Sequence, residues 1–353
     1  MVRPRDMKVI GTALLSFGMS GKVFHAPLLS ALPGFRLLGA WERTKKEIAT
    51  LYQGTKSYSS FNEMLADPDV DLVVVNTPTA THFSFAKEAL HAGKHVVVEK
   101  AFTTNADEAI ELADLARQLR LTLSVFQNRR WDSDFMTVKQ VLERGAIGDV
   151  VETTISFNRY NLAPNPKAHK ETPGPGSGNL KDLGPHLIDQ ALVLFGTPDR
   201  VFADIRKCRP GSQVDDSFDL MLYYPTRRVR LTSGYHISEP GPGYVLHGLL
   251  GSFVKSRADV QEMQLKSGMR PVDPGYGIEL PNEAGVLHLH RQAGSVVEKV
   301  ISLPGNYTMY YNQLYDALAG SGIVPVTPEE GVLVMKVIDA ALESQATQRV
   351  IKI

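Results

Sequence analysis

Between Met7 and Gln127 short apolar runs alternate with amphipathic stretches, and this alternation constrains the fold more than any other feature of the chain. Residues 9–15, 36–41, 72–76, 95–98 and 122–126 are short, rich in Val, Leu and Ile, and bounded by polar or turn residues. Such runs read as strands buried on both faces. Segments 22–31, 45–52, 83–92 and 106–120 carry apolar residues at helical spacing. Gly93 follows one of them as a C-cap, and Pro27 sits early enough in another to be tolerated. Strand–helix alternation of this kind predicts a doubly wound parallel sheet covered on both faces. After about Trp131 the pattern changes. Helix 135–145 leads into strand 150–158, a loop rich in Pro and Gly over 162–179, and helix 183–195. From 200 to about 302 the chain is mostly strand-like, with runs at 218–224, 228–235 and 244–250 separated by turn residues, and helices 307–319 and 328–343 close it. The expectation is an α/β domain over residues 1–127, followed by an α+β domain with a mostly antiparallel sheet over 128–353.

A length of 353 residues suits two such domains. Lysine plus arginine balances aspartate plus glutamate at 38 each, so no global field favours nucleic acid or an anionic membrane surface. The single cysteine, Cys208, excludes an intramolecular disulfide and a thiol-rich metal site, and reads as a buried small hydrophobe. No metal site is expected. The polar segment Met1 to Lys8 lacks the apolar stretch of a signal peptide, and no apolar run approaches the ~20 residues a membrane helix needs. A cytoplasmic protein is the expectation.

After the first strand stands Ser16-Phe17-Gly18-Met19-Ser20-Gly21, a dinucleotide fingerprint with serine in place of its first glycine. The fingerprint needs a tight turn, a close approach of backbone to pyrophosphate, and close helix–strand packing. Gly18 and Gly21 serve the second and third needs; Ser16 can form the turn and offer its hydroxyl to phosphate. The following helix turns its N-terminal N–H groups to the anion. At the end of the second strand, Glu42 suits the ribose hydroxyls of NAD, whereas Arg43, Thr44 and Lys45 suit the extra phosphate of NADP. Both signals are present, with a slight lean to NADP. Asn76-Thr77-Pro78 makes a turn at another strand's carboxyl end, where ligands collect in parallel sheets, and His82 follows within reach of it.

Two passages place charge where a neutral core is expected. A buried strand ends in Glu99-Lys100, which reads as reactive groups at a strand end or as a surface ion pair. The second passage is Gly178-Asn179-Leu180-Lys181-Asp182-Leu183-Gly184-Pro185-His186-Leu187-Ile188-Asp189. If its helix begins near Asp182, then Asp182 and His186 lie one turn apart on one face. Histidine, with an ordinary pKa of about 6.5, can take a hydroxyl proton, and Asp182 can orient a hydroxyl or the imidazole. The competing reading is a capping aspartate and a core histidine. Arg129, Arg159, Tyr160 and His236 are candidates for the substrate pocket, being polar or aromatic residues near strand ends or the Gly-Pro loop.

On Gly18, Gly21, Glu99-Lys100 and Asp182-x-Gly184-x-His186-x-x-Asp189 the chain resembles the Gfo/Idh/MocA oxidoreductases over nearly its whole length. Within them it is similar to the scyllo-inositol dehydrogenase-like branch. That likeness rests on Gly21-Lys22-Val23-Phe24-His25-Ala26-Pro27, Asn128-Arg129-Arg130-Trp131-Asp132, Pro173-Gly174-Pro175-Gly176-Ser177-Gly178 and Leu303-Pro304-Gly305-Asn306-Tyr307. The resemblance implies a dinucleotide-binding Rossmann domain joined to a substrate-binding and oligomerisation domain with a large open sheet, assembled as homodimer or homotetramer. It also implies NAD or NADP as cofactor, a sugar or cyclitol polyol as substrate, and hydride transfer at a carbinol or carbonyl carbon. Lys100 would hydrogen-bond the reacting oxygen, His186 would be the acid–base group, and Asp182 would position both. A non-catalytic nucleotide sensor and an NAD-dependent glycosidase are the alternatives such a fold allows. One departure stands out: Ala101 replaces the family's proline after Lys100. A cis peptide before alanine costs roughly 3 kcal/mol, so a trans bond is expected there.

Overall fold

The computed structural model describes residues 8–165, 167–292 and 294–353. The polar segment 1–7, read above for a signal sequence, lies outside them.

The first sheet is built from β1 (Ile10–Leu14), β2 (Phe35–Trp41), β3 (Lys56–Tyr58), β4 (Leu72–Val75), β5 (His95–Glu99) and β6 (Leu123–Phe126). Its order is β3-β2-β1-β4-β5-β6 and every pairing is parallel. The apolar runs form its centre because helices cover both faces: Leu72, Val73, Val74 and Val75 are wholly buried, as are Val96, Val97 and Val98. From β1 the chain winds first towards β2 and later, through β4, to the other side. That reversal opens a crevice at the carboxyl ends of β1 and β4, the ligand position of open parallel sheets. Helix Ala106–Leu119 covers one face; its first turn is capped by Asn105, whose side chain accepts from Glu108 N–H.

Two elements of this half escaped the sequence pattern. β3 is three residues of mixed polarity, and helix Phe61–Ala66 is six residues, too short for a periodic stripe, although Ser60 caps it. The expected helix 22–31 is a π-turn, Gly21–His25, followed by Ala26–Ser30. Pro27 stands in the first turn of the latter and has no N–H for an ordinary ladder, so the widened turn precedes it.

The second sheet contains β7 (Val150–Ser156), β8 (Arg200–Arg206), β9 (Ser217–Tyr223), β10 (Arg228–Gly234), β11 (Tyr244–Gly248), β12 (Gly251–Lys255), β13 (Gly285–Arg291), β14 (Gly294–Val300) and β15 (Ile351–Lys352). Its order is β14-β13-β12-β11-β7-β10-β9-β8-β15, antiparallel except between β7 and β10. Alternate residues of β9 and β10, such as Leu220, Leu222, Val229 and Leu231, are fully buried on the face where helices pack. The other face carries ion pairs such as Arg228–Glu152 at 2.6 Å. The architecture is therefore a six-stranded parallel Rossmann sheet beside a large, mostly antiparallel open sheet, as the sequence predicts. Helix Gly184–Phe195 packs on β7 and β10, which fixes His186 on its first turn.

The closing helices, Thr308–Leu318 and Pro328–Thr347, return to the first half of the chain. Tyr310 Oη donates to Ser124 Oγ at 2.8 Å, and helix Pro328–Thr347 packs along Ala106–Leu119. Among the described residues no helix is long and apolar enough to cross a membrane. Cys208 is exposed, against the expectation of a buried hydrophobe, because it follows the end of β8 and its backbone N–H, rather than its thiol, is anchored, to Asp216.

Candidate active site

The crevice begins at the loop after β1. Ser16 is locked to Asn76 at the end of β4: Ser16 N–H donates to Asn76 Oδ1, Asn76 Nδ2 donates to Ser16 O, and Ser16 Oγ donates to Asn76 O, each at 2.9 Å. The serine hydroxyl proton is thus committed to the backbone instead of facing phosphate. Asn76, absent from the expected site, is what holds the turn. The two glycines of the fingerprint differ in kind. A Cβ on Gly21 would lie 2.6 Å from Ser16 O and 3.2 Å from Asn76 Nδ2, so glycine is required by packing. A Cβ on Gly18 would meet only Ser16 Oγ at 3.9 Å and would project into the crevice. Nothing among the described residues needs a glycine at 18. A backbone surface kept bare above open space fits a bound pyrophosphate, the group the fingerprint accommodates.

At the outer end Phe17, Met19, Arg43, Thr44 and Lys45 border the crevice with Trp41. Glu42 is nearly buried and its carboxylate is already occupied: Oε1 accepts from Glu47 N–H at 2.8 Å, and Oε2 accepts from Ile48 N–H at 3.1 Å and Ser57 Oγ at 2.7 Å. These bonds tie it to the start of the short helix Ile48–Leu51 and to β3, and it also borders the outer end of the crevice. Arg43, Thr44 and Lys45 are exposed. Thr77 and Pro78 line the crevice where its two halves meet.

His82 differs from expectation. It is 1% exposed, and its ring nitrogens face Ala101 O and Thr77 O, both at 2.8 Å. Burial holds its pKa below the usual histidine value despite those carbonyls. Enclosed beside these two carbonyls and absent from the crevice lining, it clamps the turn after β4 to the chain after β5. The Lys100–Ala101 peptide, expected to be trans, is cis.

The chemical wall is formed by the end of β5 and the junction of two helices. Lys100 Nζ donates to Asp182 O at 2.6 Å and to Asp182 Oδ1 at 3.2 Å. Lys170 Nζ donates to Asp182 Oδ2 at 2.7 Å. Asp182 ends the short helix Asn179–Asp182, and His186 belongs to the next helix, Gly184–Phe195, after a break at Leu183. The single helix starting at Asp182 that the spacing predicts is thus two pieces. Asp182 bonds the two lysines, and no hydrogen bond joins it to His186. Burial alone would raise the Asp182 carboxyl, but the Lys100 and Lys170 ammoniums hold it well below the carboxylate range. Burial lowers the Lys100 ammonium, opposed by Asp182.

His186 is 4% exposed, lines the crevice, and has an Nδ1 atom without a hydrogen-bond partner. Burial, then the cations Lys100, Arg129, Arg257 and Arg159, push its pKa well below the histidine value. The neutral imidazole is thereby favoured, and neither ring nitrogen has a hydrogen-bond partner among the described residues, Nδ1 being fully enclosed. Asp189, the last residue of the same motif, instead takes Arg130 in a bidentate pair at 2.7 and 2.8 Å. Glu99 accepts from His25 Nε2 at 3.0 Å, and His25 Nδ1 meets Tyr311 Oη at 2.7 Å.

Of the residues expected at the substrate end, Arg129 and Arg159 line the crevice with Lys100 and His186. Tyr160 and His236 do not. They pair with each other as an isolated antiparallel bridge, and Tyr160 is 62% exposed. His236 lies instead near Cys208 and Asp216, their ligand atoms within 4.8 Å of one another. The Asp216 oxygens there already accept from Cys208 N–H, Arg209 N–H and Arg209 Nε, which leaves the trio ill suited to a metal ion. Lys170 is the contributor the sequence pattern missed: it stands in the short helix Ala168–Glu171 within the Pro/Gly-rich stretch, which gave no signal. Arg257 lies in a neighbouring pocket that shares Arg129 and Arg159 with the crevice.

Comparison with known proteins matches this two-domain fold. A profile described as "Oxidoreductase family, NAD-binding Rossmann fold" covers residues 9–127, and one described as "Oxidoreductase family, C-terminal alpha/beta domain" covers residues 139–353. The uncharacterized oxidoreductase YdgJ of Escherichia coli is 40% identical over 95% of this chain and 96% of its own. The scyllo-inositol 2-dehydrogenase (NADP(+)) IolW of Bacillus subtilis is 35% identical over 98% of this chain and 97% of its own. Among solved structures, the putative oxidoreductase yvaA from Bacillus subtilis superposes with a TM-score of 0.96 at 34% identity, covering 99% of both chains. The chain belongs to the Gfo/Idh/MocA oxidoreductase family.

Proposed function

We propose that this protein is an NAD(P)-dependent dehydrogenase or reductase of a sugar or cyclitol, working at a single CH–OH carbon, with NADP the preferred cofactor. The observation that carries the reading is the meeting of Lys100, Asp182 and a neutral, unengaged His186 on one wall of the crevice that the Gly18 loop opens. Ser16 to Gly21, Thr77, Pro78 and Glu99 would hold the dinucleotide, whose nicotinamide ring supplies the hydride acceptor or donor. In the oxidation direction His186 takes the hydroxyl proton, which its neutral state allows. Lys100 donates a charged hydrogen bond to the oxygen on which negative charge develops. Asp182 is a positioning residue: with Lys170 it fixes the Lys100 ammonium. In reduction the same groups return the proton. NADP is favoured because Glu42 is committed to backbone donors, while Arg43, Thr44 and Lys45 stand exposed beside it. The NADP of IolW, a relative over nearly the whole chain, agrees.

The test is a spectrophotometric screen of inositols, aldoses and ketoses with both dinucleotides. NADP-linked turnover of at least one polyol is expected. Turnover with none, by folded protein that also fails to bind either dinucleotide, would overturn the reading.

A further inference from the structure

A second pocket adjoins the crevice, shares Arg129, Arg159 and Glu262 with it, and gathers three guanidinium groups. Phe157, buried directly after β7, has three guanidinium groups around its ring. The Cζ atoms of Arg257, Arg159 and Arg129 lie 4.5, 4.6 and 5.1 Å from the ring centroid. A phenyl face attracts cations and holds them in place, but it does not neutralise them. Of the three, only Arg129 has carboxylate partners, Asp132 at 3.1 Å and Glu262 at 2.9 Å. Arg257 finds neutral acceptors alone, Ser156 O at 2.9 Å and Gln190 Oε1 at 3.3 Å. Arg159 has no ion pair or hydrogen-bonded side chain among the described residues, only the ring.

The carboxylates nearby are already spoken for. Asp182 serves Lys100 and Lys170; Glu262 serves Arg129 and Lys266; Glu99 faces His25. Asp132 is paired with Arg129, and Asp259 accepts from Ser133 N–H, Gln261 N–H and Gln261 Nε2. Two guanidinium N–H groups of this pocket, Arg129 Nε and Arg257 Nη1, are buried without an acceptor. Clustered like charges and orphaned buried donors are each unfavourable, and a fold retains them where a ligand compensates. A neutral hydroxyl supplies an acceptor but no charge. An oxyanion supplies both, and its geometry matches the guanidinium fork.

We propose that the substrate is an anionic carbohydrate, whose carboxylate or phosphate oxygens are held by Arg159 and Arg257 beside Phe157 while its carbinol faces His186. Arg257 is then a specificity residue for this site. The inference deepens the hydride-transfer reading and rests on it only for which end of the molecule reacts.

The test is calorimetric titration of the NADP-loaded protein with hexuronates, aldonates and hexose phosphates, each beside its neutral hexose or polyol. The wild type is compared with Arg159→Gln, Arg257→Gln and the double variant, each first shown to be folded by circular dichroism. The best anion is expected to bind roughly 10-fold or more tightly than its neutral counterpart, with the gap collapsing in the double variant. The ranking of carboxylate against phosphate identifies the oxyanion. Neutral partners that bind as tightly as every anion, no binding by any anion, or a gap that survives the double substitution would each overturn the proposal. Turnover of a neutral polyol without anion preference sinks this inference and leaves hydride transfer standing. Anion selectivity with no turnover does the reverse.

Discussion

Burial decides what the titratable side chains of this crevice can do. His186 and His82 are both enclosed, and burial lowers both pKa values below 6.5. In the unfolded chain these imidazoles take up protons as pH falls through about 6.5, while in the folded chain they take them up only at lower pH. The unfolded state then binds more protons, so stability falls with pH below that value. His186→Gln removes one such site. Its melting temperature should decline less than that of the wild type between pH 7.5 and 5.5, read by circular dichroism; parallel curves would show that His186 does not stay neutral. A second expectation follows from the Asp182–Lys100 contact at 3.2 Å. Lys100→Met should lower kcat by about 10²–10³-fold, since it removes a charged donor from the developing oxyanion. Asp182→Asn should fall between that variant and the wild type, and the double variant should cost little more than Lys100→Met alone, because the aspartate acts through the lysine. Additive losses would separate the two residues.

The loop after β1 shows how one element carries two requirements that look alike in sequence. Gly18→Val should weaken dinucleotide binding severely with the melting temperature nearly unchanged, because the added side chain meets only the crevice. Gly21→Ala should instead cost stability, since its Cβ would press on Ser16 O at 2.6 Å. Fluorescence titration and thermal melts separate the pair; the reverse pattern would misplace the pyrophosphate. The strands of the first sheet were legible because burial on both faces leaves an unbroken apolar run, as in Val96, Val97 and Val98. β3 and helix Phe61–Ala66 were not, being too short to show a period. At the site, motif spacing singled out Lys100, Asp182 and His186, which the structure brings to one crevice, but misjudged how they connect. The break at Leu183 and the approach of Lys170 depend on a loop folding back over the helix junction, which no local periodicity encodes. The partners of His82 and Glu42 were not legible for a related reason: the tertiary fold brings two carbonyls to one, and two backbone N–H groups with a serine to the other.

Across the whole molecule, the last two helices fasten the second half of the chain to the floor of the crevice. Tyr311 Oη meets His25, which in turn holds Glu99 at the end of β5. Tyr311→Phe would leave His25 Nδ1 buried without a partner and should cost about 1–3 kcal/mol in urea denaturation. No measurable loss would mean that this joint does not brace the site. Both sheets therefore converge on one wall, where β5 brings Lys100 and the helix packed on β7 and β10 brings His186. If His186 moves the proton that accompanies hydride transfer, kcat of the folded His186→Ala variant on the best substrate falls by about 10²–10⁴-fold with the dinucleotide Kd nearly unchanged. Wild-type turnover by the folded variant would contradict that role.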